Sequence, residues 1–382
     1  MDKKKALLVV AGGRAIPDVL ALYVVQPHLV ITITSEQGWD NENAFVEVAI
    51  SLPNYEKLVS IPNVNAYDFE IAKQACIDAC EPYPPSNWDW AFSISSGPKI
   101  TGIAAYEVAK ENGIPCLYID TQREKVVSLI TDVQITPQQL FHMDVQGYMK
   151  IQQRKPKIHD QEVAQYRRKV ERWGNIARLL ALSFDTPSFT KLMYEKKENV
   201  LIALSPASLP TSPLLRSLEE LRAIRTEHNS DGTITCAFTS KHSAKFLGTG
   251  DWLEIYVWHE VNEAKFADDC KWGYEIISSA KNELDVVLTY KSQLIFAECK
   301  TEAEPFEGKT GHLDRINNKA EMLGRTYVTK LFITNGSKTM KGYTNFMEQA
   351  KLRKIVVATA EDLPNIGQIM KREAENPTYP RI

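Results

Sequence analysis

The sequence lacks any stretch long and apolar enough to span a membrane as a helix. It also lacks the GxGxxG turn of a dinucleotide-binding fold. Gly12 and Gly13 are adjacent, and no acidic residue follows in the required context, which argues against an NAD enzyme. Excess charge of one sign is absent too: the formal net charge is −3, so no global basic field marks a nucleic-acid binder, and only a local basic groove could do so. Cysteine is sparse. Cys76 and Cys80 stand four apart in "CIDAC", but no second pair of cysteines or histidines follows at zinc-finger spacing. The six cysteines therefore read as thiols in a reducing compartment, and a cytoplasmic location is expected. The opening "MDKKKALLVVAGG" has the lysines of a signal peptide, but its apolar run is short and glycines follow it, so it reads as a first core strand.

What is present is ordinary soluble protein, 44% hydrophobic and 24% charged, and 382 residues suffice for two or three domains. In the first half, apolar runs of strand length alternate with helical patterns. "ALLVV" is a strand and "AGGRAIPDVLALYVVQ" a glycine turn and helix. "LVITITS" is a second strand, "YEKLVSI" a short helix, "VNAYDFE" a third strand and "IAKQACIDAC" a helix. "WDWAFSISSG" is a strand entering a small-residue turn, "ITGIAAYEVAKENG" a helix and "IPCLYIDT" another strand. This alternation predicts an α/β domain with a mostly parallel, Rossmann-like sheet covered on both faces, which binds ligands at the carboxyl ends of its strands. Three loops fall there: Gly12-Gly13-Arg14, Thr34-Ser35-Glu36-Gln37 and Ser95-Ser96-Gly97-Pro98-Lys99. In the third, small hydroxyl residues, a glycine and a lysine precede a helix start, where free backbone N–H groups and the helix dipole favour an anion. Lys99 and Thr101 are placed to add contacts to a phosphate. The structural alternative is a helix cap with a solvated lysine.

The middle, about 136–245, changes character. "MKIQQRKPKIHDQEVAQYRRKVERW" carries Lys150, Arg154, Lys155, Lys157, Arg167, Arg168, Lys169 and Arg172 on a largely helical pattern. Such a run is a solvated face, a contact for a nucleic-acid backbone, or a contact for a partner subunit. "SPASLPTSP" reads as a linker. "SPLLRSLEELRAIRTE" reads as a helix and "GTITCAF" as a strand, which make either a small winged-helix-like module or an extension of the last domain.

The carboxyl-terminal third, from about 246 to 382, carries the chemistry. "DWLEIYVWHEVNEA" reads as a helix, "WGYEIISSA" as a strand, and "ELDVVLTYKSQLIFAECKT" as two strands joined by a turn at Tyr290–Gln293. Strand alternation puts Glu298 and Lys300 on one face, and Asp285 on the partner strand can converge on it. Two carboxylates suit a hard divalent cation, Mn²⁺ or Mg²⁺, and a lysine beside them suits the water or the scissile phosphate. Glu254 on the preceding helix can complete the acidic cluster, giving Glu254, Asp285 and Glu298 as expected metal ligands. A helix, "GHLDRINNKAEMLGRTY", and a strand, "KLFITN", complete the order of a restriction-endonuclease-like α/β core.

"LEIYVWHEV", "NELDVVLTY", "IFAECKT" and "NKAEMLGR" together resemble the PD-(D/E)xK nuclease domain of a CRISPR ancillary family whose members join it to an N-terminal CARF sensor. "SSGPKITGIAAYEVA" resembles the CARF ligand loop and helix. The resemblance covers roughly residues 1–135 and the segment from Gly250 onward. It implies a homodimer that binds a cyclic oligoadenylate, commonly cyclic tetra-adenylate. Binding would activate metal-dependent cleavage of single-stranded RNA or DNA in antiviral defence. It places metal ligands at Glu254, Asp285 and Glu298 and the catalytic lysine at Lys300. Ligand contacts fall near Gly12–Gly13, Thr34–Ser35 and Ser95–Lys99. Where family members often carry a double glycine, this chain has Gly324-Arg325. The competing readings are a ligand-responsive transcriptional regulator, a DNA-repair nuclease without a second messenger, and a scaffold with a decayed nuclease fold. The first has no need of Asp285, Glu298 and Lys300, the second leaves the anion loop unexplained, and the intact acidic residues argue against the third.

Overall fold

A computed structural model describes residues 3–379, except 14, 37–38, 40–41, 122, 124, 131–140, 184–200, 205–211, 231–233, 278–281, 303 and 325–327. Arg14, Gln37, Arg325 and most of the proline- and serine-rich segment 205–213 thus lie outside the described residues. The chain separates into two compact units. One comprises residues 1–155 with the hairpin tip Lys291–Gln293. The other comprises 156–290 and 294–382.

The first unit holds a six-stranded sheet in the order β3-β2-β1-β4-β5-β6. Its strands are β1 Lys4–Val10, β2 Leu29–Ser35, β3 Lys57–Val64, β4 Trp88–Ser93, β5 Cys116–Asp120 and β6 Lys125–Ser128. Strands β1 to β5 run parallel, and β6 returns antiparallel on β5. Helices α1 Ala15–Val25, α2 Glu42–Ile50, α3 Phe69–Cys80, α4 Lys99–Glu111 and α5 Val145–Ile151 accompany it. The central strands are apolar on both faces, with all of Ala6–Val10 and Leu29–Ile33 buried, as a covered parallel sheet requires. One local reading is corrected. "YEKLVSI" is not a helix: Lys57–Val64 forms β3, and "VNAYDFE" holds the end of that strand, a turn and the Asp68 cap of α3, which accepts from the Ile71 N–H. As an edge strand paired only with β2, β3 tolerates Pro62. Cys76 and Cys80 are free thiols that burial pushes up to about 12.

The second unit is built on a five-stranded sheet, β10-β11-β12-β13-β14. Its strands are β10 Asp269–Ile276, β11 Asn282–Tyr290, β12 Gln293–Lys300, β13 Val328–Thr334 and β14 Ile355–Ala358. β10 and β11 are antiparallel; β12, β13 and β14 are parallel. A smaller antiparallel sheet, β7-β9-β8, comprises β7 Leu201–Leu204, β8 Ile224–His228 and β9 Ile234–Phe238. The described helices are α6 Gln161–Val170, α7 Gly174–Leu182, α8 Ser212–Glu220, α9 Lys241–Thr249, α10 Asp251–Ala264, α11 Thr310–Leu323, α12 Tyr343–Leu352 and α13 Ile366–Glu375. The segment "SPLLRSLEELRAIRTE" therefore yields a helix and a strand rather than one helix. One apolar core joins α7 and α10 to the main sheet through Trp252, Leu253, Ile255, Tyr256, Val286 and Ile295. No described helix is long and apolar enough to cross a membrane.

Candidate functional site

In the first unit, β1 is flanked by β2 on one side and β4 on the other, so the crevice beyond their carboxyl ends is the switch point where such sheets take ligands. The loops after β1 and β4 interlock there. A Cβ on Gly12 would stand 2.1 Å from the Ser96 carbonyl oxygen, and one on Gly97 would stand 2.3 Å from Val10 Cγ1 and 2.7 Å from the Val10 carbonyl oxygen. Only glycine allows that approach. The Ser95 hydroxyl accepts from the Ile119 N–H at 2.9 Å, and the Ser96 hydroxyl donates to Asp18 Oδ2. Both serines thus shape the loop. Thr34 and Thr101 are buried, whereas Gly13 and Lys99 are exposed and Ser35 is half-buried. Helix α4 begins at Lys99 with Pro98 at its cap and no side-chain cap bond, so its first N–H groups are not claimed by a capping side chain.

Asp18 lies behind this loop on α1, fully buried, with Oδ1 unpartnered among the described residues. Burial pushes its carboxyl well above the usual range, and the Ser96 bond only partly opposes that. Because the folded-state value is raised, folding is penalised as pH rises from the unfolded carboxylate value, about 3.9, through the folded one. Asp18→Asn removes that penalty while keeping an acceptor for Ser96. We expect a higher melting temperature for the variant at pH 7, with the gain shrinking toward pH 4. A gain independent of pH would contradict a neutral, buried Asp18.

The second unit gathers the carboxylates on β11 and β12. Asp285 Oδ2 accepts from the Cys299 N–H at 2.8 Å and from Lys300 Nζ at 3.1 Å. Lys300 Nζ also lies 2.9 Å from Glu298 Oε1, so one ammonium bridges both carboxylates. The other Glu298 oxygen, Oε2, accepts from Lys319 Nζ at 2.5 Å, and Lys319 also donates to the Glu283 carbonyl. Burial pushes Glu298 up, but Lys300 and Lys319 together outweigh it and hold the carboxyl below its usual range. Asp285, buried and facing Glu298, is pushed up to about 6, against the pull of Lys300, Lys319 and the Cys299 N–H. The pair is thus asymmetric: two ammonium groups keep Glu298 ionised, and Asp285 is the carboxyl that takes a proton more readily. Burial alone would lower Lys300, but Asp285 and Glu298 raise it, so it is a fixed positive charge rather than a base.

Glu254 projects from α10 into the field of this pair. Burial raises its carboxyl strongly, and Asp285, Asp251 and Glu283 add to that, opposed by Lys300. The expected three-carboxylate ligand set is nevertheless not gathered. Among the described residues no three histidine, cysteine, aspartate or glutamate side chains stand close enough to hold a metal ion. The Lys300 ammonium bridges Asp285 and Glu298, and a third carboxylate drawn closer would add like-charge repulsion. Asp285 and Glu298 are nevertheless hard oxygen donors of the kind a divalent cation takes, and here they share one ammonium, a cation already held between them.

Lys319, Glu302 and His312, with Arg315 against the histidine, extend the site beyond the motif. Lys319 lies on α11 next to Ala320, and Ile316, Ala320 and Leu323 form that helix's buried stripe. A lysine flanking an apolar stripe is ordinary on an amphipathic helix, so no local signal sets Lys319 apart. Glu302 follows β12, and its Oε1 lies 3.1 Å from Nε2 of the buried His312, without hydrogen-bond geometry. The Arg315 guanidinium donates to His312 Nδ1, and burial lowers the ring's affinity for a proton, so the imidazole is neutral.

Residues 240–376, which contain Glu254, Asp285, Glu298, Lys300 and Lys319, match the family model of the Card1-like endonuclease domain. No curated protein matches the chain. Among solved structures, protein VC1899 from Vibrio cholerae is 16% identical with a TM-score of 0.74, over 98% of this chain and 99% of that one. Can2 from Sulfobacillus thermosulfidooxidans, in complex with cyclic tetra-adenylate, is 19% identical with a TM-score of 0.69, over 96% of each chain. A type III CRISPR defence DNA nuclease activated by cyclic oligoadenylate is 13% identical with a TM-score of 0.54, over all of this chain and 53% of that one. At such identities the shared property is the fold. The chain therefore has the fold of the CARF-plus-nuclease proteins that its motifs resemble, with a segment matching the Card1-like endonuclease domain at its carboxyl end.

Proposed function

We propose that this chain is a nuclease of CRISPR antiviral defence. It hydrolyses phosphodiester bonds of single-stranded RNA or DNA, depends on Mn²⁺ or Mg²⁺, and is switched on by a cyclic oligoadenylate bound across a homodimer. The observation that carries the reading is the Asp285–Lys300–Glu298 cluster on β11 and β12, inside the segment matching an endonuclease domain. Asp285 and Glu298 are the residues that would hold the cation, and Glu254 on α10 is the third ligand that the resemblance implies. When bound, it supplies charge stabilisation at the phosphate and a more acidic water. The protein's own part is electrostatic and positional. Glu298 is held ionised and aimed by Lys319. Lys300 carries a permanent charge that suits the developing negative charge on a phosphoryl oxygen. In hydrolysis a water oxygen bonds to phosphorus as a P–O ester bond breaks, and the water's proton departs to solvent or a neighbouring base.

The sensor half of the reading rests on the interlocked loops at the β1/β4 switch point and on the α4 start without a side-chain cap. A two-fold symmetric cyclic ligand suits a C2 dimer in which each subunit offers the same loop. Activation then requires that the ligand favour one of two dimer states. Lys99→Ala is expected to weaken cyclic tetra-adenylate binding about 10- to 100-fold, as loss of charged hydrogen bonds implies. Unchanged affinity by calorimetry would make the loop a helix cap only. The function itself is tested by crossing single- and double-stranded RNA and DNA against cyclic oligonucleotides of several ring sizes, with Mn²⁺, Mg²⁺ or EDTA. Cleavage is expected only where metal and a cyclic oligoadenylate are both present. Cleavage of none of the substrates under any combination would defeat the reading.

A further inference from the structure

The basic run in the middle of the sequence resolves into two kinds of residue. Lys157 is paired with Glu275 at 2.6 Å. Arg167 is built into the fold: its guanidinium lies 4.2 Å from the centre of the Trp272 ring and donates to the Trp272 and Gly273 carbonyls. Arg168, Lys169 and Arg172 are exposed on α6 and the turn after it, where only Tyr166 and Val170 of the helix are buried. Helix α9 adds exposed Lys241 and Lys245 and carries no acidic residue. The two helices are joined at this face. Lys169 Nζ lies 3.4 Å from the Ser240 hydroxyl and 5.4 Å from the centre of the Trp173 ring. Lys245 Nζ lies 4.2 Å from the centre of the Tyr166 ring, and the His242 ring lies 5.4 Å from that ring, tilted 60° to it. Among the described residues, Arg168, Lys169, Arg172 and Lys241 form no ion pair with a carboxylate, whereas Arg178, Lys338 and Arg353 of the same unit do.

This face also reaches the acidic cluster. Tyr166 donates to Asp251 at 2.5 Å, and Lys245 lies 3.7 Å from the same carboxylate. Glu254 follows one turn further along α10, about 5 Å. Gly250, at the junction of α9 and α10, lies so close to Thr301 that a Cβ would stand 2.3 Å from its hydroxyl oxygen, and Thr301 directly follows Lys300. The chain's net charge is −3, so this concentration of unmatched cations is local and not the overflow of a basic protein.

We infer that the α6–α9 face is the track along which the phosphodiester backbone of a single-stranded substrate enters the site. Arg168, Lys169 and Lys241 contact phosphates, and the half-buried Trp173 and His242 supply an aromatic edge to the face. The inference rests on the nuclease reading above and adds where the substrate lies. The test uses the full chain with saturating cyclic tetra-adenylate and a fluorescent single-stranded oligonucleotide, in EDTA to prevent cleavage. The triple variant Arg168→Gln, Lys169→Gln, Lys241→Gln is compared with wild type across salt concentrations. A control neutralises Lys351, Lys354 and Lys371 on the α12–α13 side. Each lost phosphate contact lowers the log–log salt slope by about 0.7, so the triple variant is expected to lose about 2 from the slope, and affinity at low salt should fall at least about tenfold. Melting temperatures should match, since the three side chains are exposed. A slope equal to wild type, or an equal loss in the control, would overturn the track. Cleavage measured in parallel with metal separates the two ideas. Wild-type cleavage with an unchanged slope in the variant sinks the track alone. Wild type that neither binds nor cleaves sinks the nuclease reading and the track together.

Discussion

Glu298→Gln should abolish cleavage while leaving cyclic tetra-adenylate binding unchanged. Glu298 is 5% exposed and is held at both oxygens, by Lys300 and by Lys319. The amide keeps the shape but loses the charge that would make this oxygen pair a ligand for a hard cation. Losing an outer-shell partner of a metal ligand costs about 10- to 100-fold; losing the ligand itself should exceed that. Two independent readouts accompany activity. Mn²⁺ affinity, titrated by calorimetry, should fall with the rate. Acid stability should also change. The folded-state value of Glu298 is depressed, so its stabilising contribution is present above the unfolded value, about 4.3, and is lost as pH falls through the folded one. The variant should lack that acid-side loss. A variant that cleaves at the wild-type rate would remove Glu298 from the site.

Lys300→Ala should separate rate from binding. Lys300 is kept charged by Asp285 and Glu298, so on the proposed reading it would meet charge that grows in the transition state. The single-turnover rate at saturating activator and metal should fall roughly 100- to 1,000-fold, with metal affinity retained. Metal affinity should even rise, because the ammonium that bridges the two carboxylates is gone. Lys300→Arg should rescue only partly: a planar guanidinium does not fit the compact position between Oδ2 of Asp285 and Oε1 of Glu298. A defect confined to KM would mark uniform substrate binding and remove the transition-state role.

The parts of this molecule that were legible in the sequence are those set by short-range periodicity. An apolar strand ending in Glu298-Cys299-Lys300 puts glutamate and lysine on one face by alternation, and the structure brings Lys300 to 2.9 Å from Glu298. The helix read at Asp251–Ala264 has those bounds in the structure, where Gly250 and Lys265, both at positive φ, end it. The third strand of the first unit was misplaced because Leu58, Val59 and Ile61 satisfy a helical and a strand pattern equally, and only pairing with β2 decides between them. The clamp on Glu298 by Lys319 was not readable. It joins residues 21 apart on different elements, and nothing local distinguishes Lys319 from a solvated lysine until α11 is laid on the sheet. The same holds for Asp18 and Ser96, 78 apart. The basic run was visible, but which of its cations are used by the fold depends on Trp272 and Glu275, more than a hundred residues away.

On the proposed reading, ligand occupancy in the first unit controls hydrolysis in the second. That control is tested most directly by single-turnover cleavage of a single-stranded oligonucleotide by the wild-type chain, with cyclic tetra-adenylate and Mn²⁺ each present or absent. Glu298→Gln is run in the arm containing both. The account predicts cleavage only in the wild-type arm containing both. Equal cleavage with and without the cyclic nucleotide, or cleavage by Glu298→Gln, would contradict it.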